Sequence, residues 1–382
     1  MSSAKAFICP PTWIRRKKWP KPPPVSGGTF SIVDLFCGCG GLTLGAWEAA
    51  RANNRRLKVK LAIDTCGDAL AVYRANFGVS KKTAREIDIR EVFPGKLGSR
   101  PQAVELTAVR KAGKVDILVA GPPCQGHSDL NNHTRRKDPR NGLYLRVTRA
   151  VELLRPGIVL IENVGAVIHD HSNVVARSVE MMQSIGYTVA TRIVRASTLG
   201  LPQRRKRHIL LAVRGADWNV ADAFPTDDQQ PVPISDYLAD IEDEPEHRTE
   251  MFRTPSRMTL RNRKRVEYLF KRDAYNLPNK HRPPCHENGH SYISMYGRLH
   301  WDQPAQTITT GFGSMGQGRF VHPTRQRVIT PHEAARIQGF PDFFDFSGAR
   351  TRRSLQDMIG NAVPPVVAAW VLALRFPRAQ PE

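Results

Sequence analysis

Short continuous apolar runs alternate along this chain with stretches whose apolar positions recur at helical spacing. Phe30–Phe36 predicts a strand and Gly41–Ala52 a helix; Lys58–Asp64 and Asp68–Asn76 repeat the pair. Val115–Gly121 predicts a central strand, followed by a helix over Leu143–Leu154 that Pro156 ends. Ile158–Glu162 is another strand, Val174–Ile185 a helix, and Tyr187–Val194 and His208–Val213 are further strands. Strand-helix units at this spacing imply an α/β fold, a parallel sheet covered on both faces.

The texture changes at Phe224. Asp227 to Glu246 is acidic and dotted with proline, and Arg253 to Arg272 is dense in Arg and Lys with Tyr268 and Phe270 interleaved. A loop-like stretch, Asn279 to Asn288, and a Thr/Gly-rich section, Thr307 to Gly318, follow. This part lacks strand-helix alternation and is expected to form a smaller domain over 224–322. Thr330-Pro331-His332-Glu333 then opens a helix as a capping box with proline at its first position. An apolar helix, Val366–Leu374, is expected to return to the main sheet, so 323–382 completes the domain begun by 30–223. Residues 1–29, with basic residues and Pro22-Pro23-Pro24, read as a flexible arm.

Composition narrows the function classes. The 382 residues are 41% hydrophobic and 24% charged, values of a soluble globular protein. No apolar run reaches a membrane span and no signal-peptide core precedes Phe30, so a cytoplasmic protein without membrane partners is expected. Six scattered cysteines do not make a disulfide scaffold. The net charge of +22 attracts polyanions and suits nucleic acid.

Three constellations carry chemistry. In the first, Asp34-Leu35-Phe36-Cys37-Gly38-Cys39-Gly40-Gly41 runs from a strand through a glycine-rich turn into a helix, and Asp64 and Asp88 end the next two predicted strands. A glycine turn with two strand-end acids describes an adenosine site without a phosphate clamp, which suits S-adenosylmethionine better than NAD. A tight structural turn would use the same glycines. In the second, Gly121-Pro122-Pro123-Cys124-Gln125-Gly126 follows the central strand, and Glu162 ends a neighbouring one. A thiolate can add to an electron-poor carbon while a carboxyl group protonates the ring nitrogen that gains electrons, a pair suited to C6 of a pyrimidine. A buried loop cysteine and a surface acid are the plainer readings. In the third, Gln203-Arg204-Arg205-Lys206-Arg207 at strand spacing sends Arg205 and Arg207 to one face and Arg204 and Lys206 to the other. The first pair could bind phosphate and a base carbonyl; a solvated basic run has the same composition. Neither Cys37-x-Cys39 nor the group His281, Cys285, His286 and His290 matches a common zinc spacing, and no metal is expected.

Together these residues resemble the DNA (cytosine-5)-methyltransferases of the bacterial restriction-modification type. The family's order is kept across nearly the whole folded chain: Asp34-Leu35-Phe36 with its glycines, Asp64, Asp88-Ile89, Pro122-Pro123-Cys124-Gln125, Glu162-Asn163-Val164, and Gln203 with Arg205 and Arg207. Arg298-Leu299, Pro304-Ala305, Thr307-Ile308, Glu333 to Pro341 and Gly360-Asn361-Ala362-Val363-Pro364 follow. The resemblance implies a Rossmann-like S-adenosylmethionine-dependent methyltransferase sheet with a smaller target-recognition domain. It implies a cofactor held by Phe36, Gly38, Gly40, Asp64, Asp88, Ile89 and Asn361. Cys124 would attack C6 of a flipped-out cytosine, Glu162 would contact N3 and the amino group, Arg207 the base carbonyl, and Arg205 would support the nucleophile loop, while the loop from Gly126 to Gly142 would close over the DNA. Gln203, Arg298 and Thr307 would contact double-stranded DNA. A monomer in the nucleoid is implied, one flipped base needing one copy, with a cognate restriction endonuclease as the family's usual companion. An RNA-directed member, a catalytically silent DNA-binding homologue and, more distantly, a nicotinamide-dependent dehydrogenase are the rivals. Thr65, Cys66 and His127 depart from the family pattern, where a large apolar residue, a second acid and phenylalanine are common.

Overall fold

Among the described residues seven strands pair into a single sheet. The computed structural model describes residues 11–123, 142–215, 220, 223–225, 229–242, 250–284 and 294–375. The strands are β1 (Thr29–Leu35), β2 (Arg56–Asp64), β3 (Ala84–Glu86), β4 (Ile117–Ala120), β5 (Ile158–Asn163), β6 (Tyr187–Arg195) and β7 (Lys206–Arg214), in the order β3-β2-β1-β4-β5-β7-β6. β1 to β5 are parallel. β7 runs antiparallel to both β5 and β6, which corrects the expectation of an all-parallel sheet. The reason is the connection: residues 196–205 carry only a 3-10 turn, Ala196–Leu199, and a parallel return needs a longer crossover.

Helices cover both faces. On one face lie α2 (Gly41–Ala52), α10 (Pro331–Ile337), α11 (Arg352–Asn361) and α12 (Pro365–Leu372). On the other lie α5 (Ala103–Ala112), α6 (Leu143–Leu154) and α7 (Val174–Ser184). α3 (Gly67–Phe77) and the short α4 (Ile89–Val92) flank β2 and β3. The helix expected at Val366–Leu374 is α12, and every residue of it is buried. It packs on α2, where a Cβ on Gly45 would collide with the Pro365 carbonyl oxygen; a side chain there would push the helices apart. Full burial of Trp370, Val366 or Leu372 contributes roughly 1.5–3 kcal/mol each.

Two expected boundaries move. Residues 11–28 are packed rather than free: α1 (Pro11–Ile14) buries Trp13 and Ile14, and the Trp19 ring lies 4.5 Å from Phe343 and 5.0 Å from Trp47. The Asp342 amide donates to the Ile14 carbonyl, and Arg15 pairs with Asp240 at 3.1 Å. Two tryptophans supply the apolar area that an unstructured tail lacks. The smaller unit also starts later than 224. Phe224 stacks on Trp370, and Ile234, Tyr237 and Leu238 near α8 (Ser235–Leu238) fill the main core. A distinct small core, Val266, Leu269, Leu277, Met315, Val321 and Val328, forms around α9 (Leu260–Lys271). Composition marked a polar surface there, but not which core its apolar residues fill.

Candidate active site

The carboxyl ends of β1, β2, β4 and β5 share one edge of the sheet, and the strand order reverses between β1 and β4, where open α/β sheets bind ligands. After β1 the backbone turns through Phe36 (φ 58°), Gly38 (φ 51°) and Gly40 (φ 103°) into α2. For Phe36 this left-handed conformation costs on the order of 1–3 kcal/mol, a strain met mostly at functional sites. It is held by Cys37 N–H donating to Ile63 O and Gly40 N–H to Cys37 O. A Cβ added to Gly38 would meet nothing within 4 Å, so the turn faces open space.

Asp64, at the end of β2, reaches under that turn. Its two oxygens accept from the Gly38 and Cys66 amides at 2.8 Å each. Burial pushes its carboxyl up, against those amide bonds. Asp88 does not end a strand, as expected, but caps α4 two residues beyond β3. It accepts from Arg90 N–H at 2.8 Å, and the Arg90 guanidinium holds its carboxyl below the usual range. The Ile89 side chain, 2% exposed, points into the core rather than the open edge. Asn361 is exposed at the end of α11.

Beneath the turn lies a group to which the sequence reading assigned no role. Asp34 is fully buried, accepts from Thr43 Oγ1 at 2.6 Å, and Thr43 in turn meets Tyr73 OH at 2.9 Å. Desolvation pushes the Asp34 carboxyl up to about 8, so it is largely neutral at pH 7. The available signal was its place inside an apolar strand. Cys37 and Cys39 are buried as well, and burial pushes the Cys39 thiol up to about 12, which leaves it an inert packing residue.

The other half of the edge is built from arginine. Glu162, near the end of β5, is 6% exposed, and its Oε1 meets Arg207 Nε at 2.6 Å. The neighbouring Asn163 donates from Nδ2 to the Pro122 carbonyl at 3.2 Å, tying β5 to the double proline after β4. Cys124 and the rest of the nucleophile loop up to Asn141 lie outside the described residues, as do Cys285, His286 and His290. Arg205 is 3% exposed and donates to the carbonyls of Ile308 (2.9 Å) and Gly360 (3.3 Å). The alternation expected for this run is present: Arg205 and Arg207 turn inward, Arg204 and Lys206 outward. Val363 joins the two halves, since a Cβ on Gly121 would lie 3.5 Å from Val363 and 3.9 Å from Glu162 Oε2.

The three residues expected on DNA are differently placed. Gln203 is fully buried and its amide is spent inside the protein, donating to Gln338 (2.8 Å) and Ile337 and accepting from Ile308 N–H (3.0 Å). It has no atom left for a groove, which corrects that expectation. Arg298 stacks over Phe270 and Tyr275, donates to the Pro323 carbonyl and pairs with Asp273 at 2.9 Å. Thr307 is half-buried beside Ile308. A second joint went unnoticed in the sequence. Glu333, buried at the start of α10, would be pushed up by burial, but Arg327 and His322 hold it well below the carboxylate range. That cluster fastens the small core to the main one. Among the described residues no three His, Cys, Asp or Glu side chains are grouped to hold a metal, and no helix is long and apolar enough to cross a membrane.

Comparison with known proteins gives this edge a context. Residues 30–373 match the family model for C-5 cytosine-specific DNA methylase. Type II methyltransferase M1.BsuMI of Bacillus subtilis (strain 168) is 45% identical over 369 residues, covering 95% of this chain and 84% of that protein. Type II methylase M.HgiDII of Herpetosiphon aurantiacus is 29% identical over 87% of this chain and 91% of its own length. Among solved structures, a putative DNA modification methyltransferase encoded within an E. coli prophage superposes with a TM-score of 0.62 at 26% identity, covering 90% of this chain and 97% of that one. The Dnmt2 methyltransferase of S. pombe, at 18% identity and a TM-score of 0.61, covers 91% of this chain and 98% of its own and shares the fold.

Proposed function

The chain belongs to the C-5 cytosine-specific DNA methylase family, and on that premise we propose that Cys124, Glu162, Arg205 and Arg207 carry out the reaction on a cytosine flipped out of duplex DNA. The observation that carries this reading is the Glu162–Arg207 pair, buried at the sheet edge beside the Asn163–Pro122 tether. It sets a carboxyl group and a guanidinium beside Gly121, where β4 ends before the double proline.

The residues present fit S-adenosylmethionine. The open turn at Gly38 offers room for close backbone approach, and Asp64 is fixed by two amides at the end of β2, where a ribose is received. Phe36, Asp88 and Asn361 border the same edge, whereas Ile89 would support the site from the core. The cofactor supplies a methyl group on an electrophilic sulfonium. The rest falls to this chain. The Cys124 thiolate adds to C6, which raises electron density at C5. Glu162 holds a proton at N3 as the ring accepts that density, and Arg207 divides its donors between Glu162 and the base carbonyl. Once C5 carries the methyl group, loss of its proton expels Cys124 and restores the ring. Arg205 acts at a distance, bracing the residues at Ile308 and Gly360.

The relatives' names support a role as the modification enzyme of a Type II restriction system, with an endonuclease sharing its site. A duplex DNA substrate would call for a protein in the cytoplasm, at the nucleoid. The test is covalent trapping. Purified protein, S-adenosylmethionine and duplex DNA containing 5-fluorocytosine should give a stable adduct, and Cys124→Ser should give none. Label from the methyl donor should enter duplex DNA in parallel reactions with transfer RNA; label in RNA alone would reject the reading.

A further inference from the structure

The β6–β7 ribbon carries a rung that the fold does not explain. Arg195, the last residue of β6, is the direct partner of Lys206, the first residue of β7. Both side chains are exposed, and among the described residues neither has a carboxylate within ion-pair range. Directly opposed residues of an antiparallel pair hold their Cβ atoms about 4.5–5.5 Å apart, where like charges destabilise the sheet. Cations on an edge strand commonly guard against strand addition, and β6 is such a strand. That accounts for Arg195; Lys206 belongs to an interior strand, past its last pair with β5, and opposing it to Arg195 adds a repulsion that guarding an edge does not need.

The position of the rung suggests another purpose. The last β5–β7 pair is Asn163 with His208, so Lys206 stands two residues beyond it, past the edge that holds Glu162. Pairing register and core membership fix the face. Leu210 and Ala212 of β7 lie in the core that also contains Tyr144, Val147 and Val151 of α6, so Lys206 and His208 are on that side. The chain that leaves the edge at Pro123 returns on this side, at the start of α6. Ile193, 46% exposed, adjoins the rung, and its Cδ1 would lie 3.7 Å from a Cβ on Gly165, in the turn after Glu162 and Asn163.

We propose that Arg195 and Lys206 form a clamp for a backbone phosphate of the duplex beside the flipped cytosine. This rests on the duplex-DNA reading above and adds to it an assigned contact. Two cations held together without an acid are relieved when an anion bridges them, and phosphate is the anion that a DNA strand brings to this edge. The contact carries no sequence information; it fixes the register of the strand against the pocket.

The test is the salt dependence of duplex binding by the full chain. Lys206→Glu exchanges a repulsive rung for an attractive one, so the variant should unfold at an equal or higher temperature. Its binding should nevertheless weaken, and the slope of log affinity against log salt should fall by about 1 for the lost phosphate contact. The double variant Arg195→Gln/Lys206→Gln should show the same loss of slope, and decides the matter if Lys206→Glu does not fold. Unchanged affinity and slope in the double variant would overturn the clamp while wild-type methylation of the duplex stood. Wild-type protein that neither binds nor methylates duplex DNA would overturn the underlying reading as well.

Discussion

The two halves of the sheet edge solve the same problem with different materials. Around β1 and β2 the site is made of backbone: a strained turn, open space at Gly38, and an acid held by two amides. Around β5 and β7 it is made of long side chains, with Glu162 held by Arg207, and Arg205 reaching carbonyls 103 and 155 residues away in sequence. The first half is organised chiefly by β1, its turn, α2 and the end of β2, with Gly38 and Asp64 only 26 residues apart. The second exists only once the small core and the last helices have docked. Positioning by backbone suits a ligand that must fit one cradle, whereas guanidinium groups can share donors between protein and an arriving base.

If this division is correct, damage to each half should show in different quantities. The largest effect is expected at the arginine half: Glu162→Gln should lower turnover by about 10²–10⁴-fold, since it removes a general acid. Cofactor affinity, measured by calorimetry, should stay within error. Asp64→Asn should do the reverse, weakening cofactor binding while leaving adduct formation on 5-fluorocytosine DNA at saturating cofactor. Equal losses of both quantities in either variant would break the comparison.

A smaller effect is expected at Arg205. Removing its guanidinium in Arg205→Ala leaves the Ile308 and Gly360 carbonyls short of a charged donor, at a cost of about 2–3 kcal/mol. Urea unfolding would read that cost, and Arg205→Lys should recover only part of it, because one ammonium cannot reproduce the planar fork. A stability equal to wild type would mean that Arg205 does not join the parts.

A last effect, read against pH, sharpens the backbone half. The Asp34 carboxyl titrates near 8 in the fold and near 3.8 in the open chain, so between those values the native state holds a proton that the unfolded state lacks. Stability from this group is therefore fullest below pH 4 and declines up to about pH 8, by at most about 1.4 kcal/mol per pH unit. Asp34→Asn keeps an acceptor for Thr43 and cannot ionise, so its stability curve should be flatter by that slope across the same window. Parallel curves for the two proteins would show that Asp34 is charged in the fold.

Local chemistry was legible in the sequence and distant partnership was not. The glycine turn, Asp64 and the in-out alternation of Arg204 to Arg207 follow from neighbours a few residues apart. The burial of Gln203 does not, because its partners Ile308, Ile337 and Gln338 lie more than a hundred residues on. Trp13 and Trp19 likewise read as part of a polar tail until the distant Phe343 and the nearer Trp47 come to meet them. The antiparallel β7 could have been anticipated, since residues 196–205 offer no crossover helix.

The seat that α2 provides for α12 also bears on the order of synthesis. Asn53, at the end of α2, donates to the carbonyl of Ala373, 320 residues further on. During translation the first strand-turn-helix unit therefore leaves the ribosome with its outer surface bare, and stays so until α12 emerges. Gly41 gains its backing at the same late moment, from the Val363 carbonyl, whereas Gly40 is already backed by Tyr73 and Phe77. An incomplete chain therefore presents the apolar face of α2 to water until its last residues arrive.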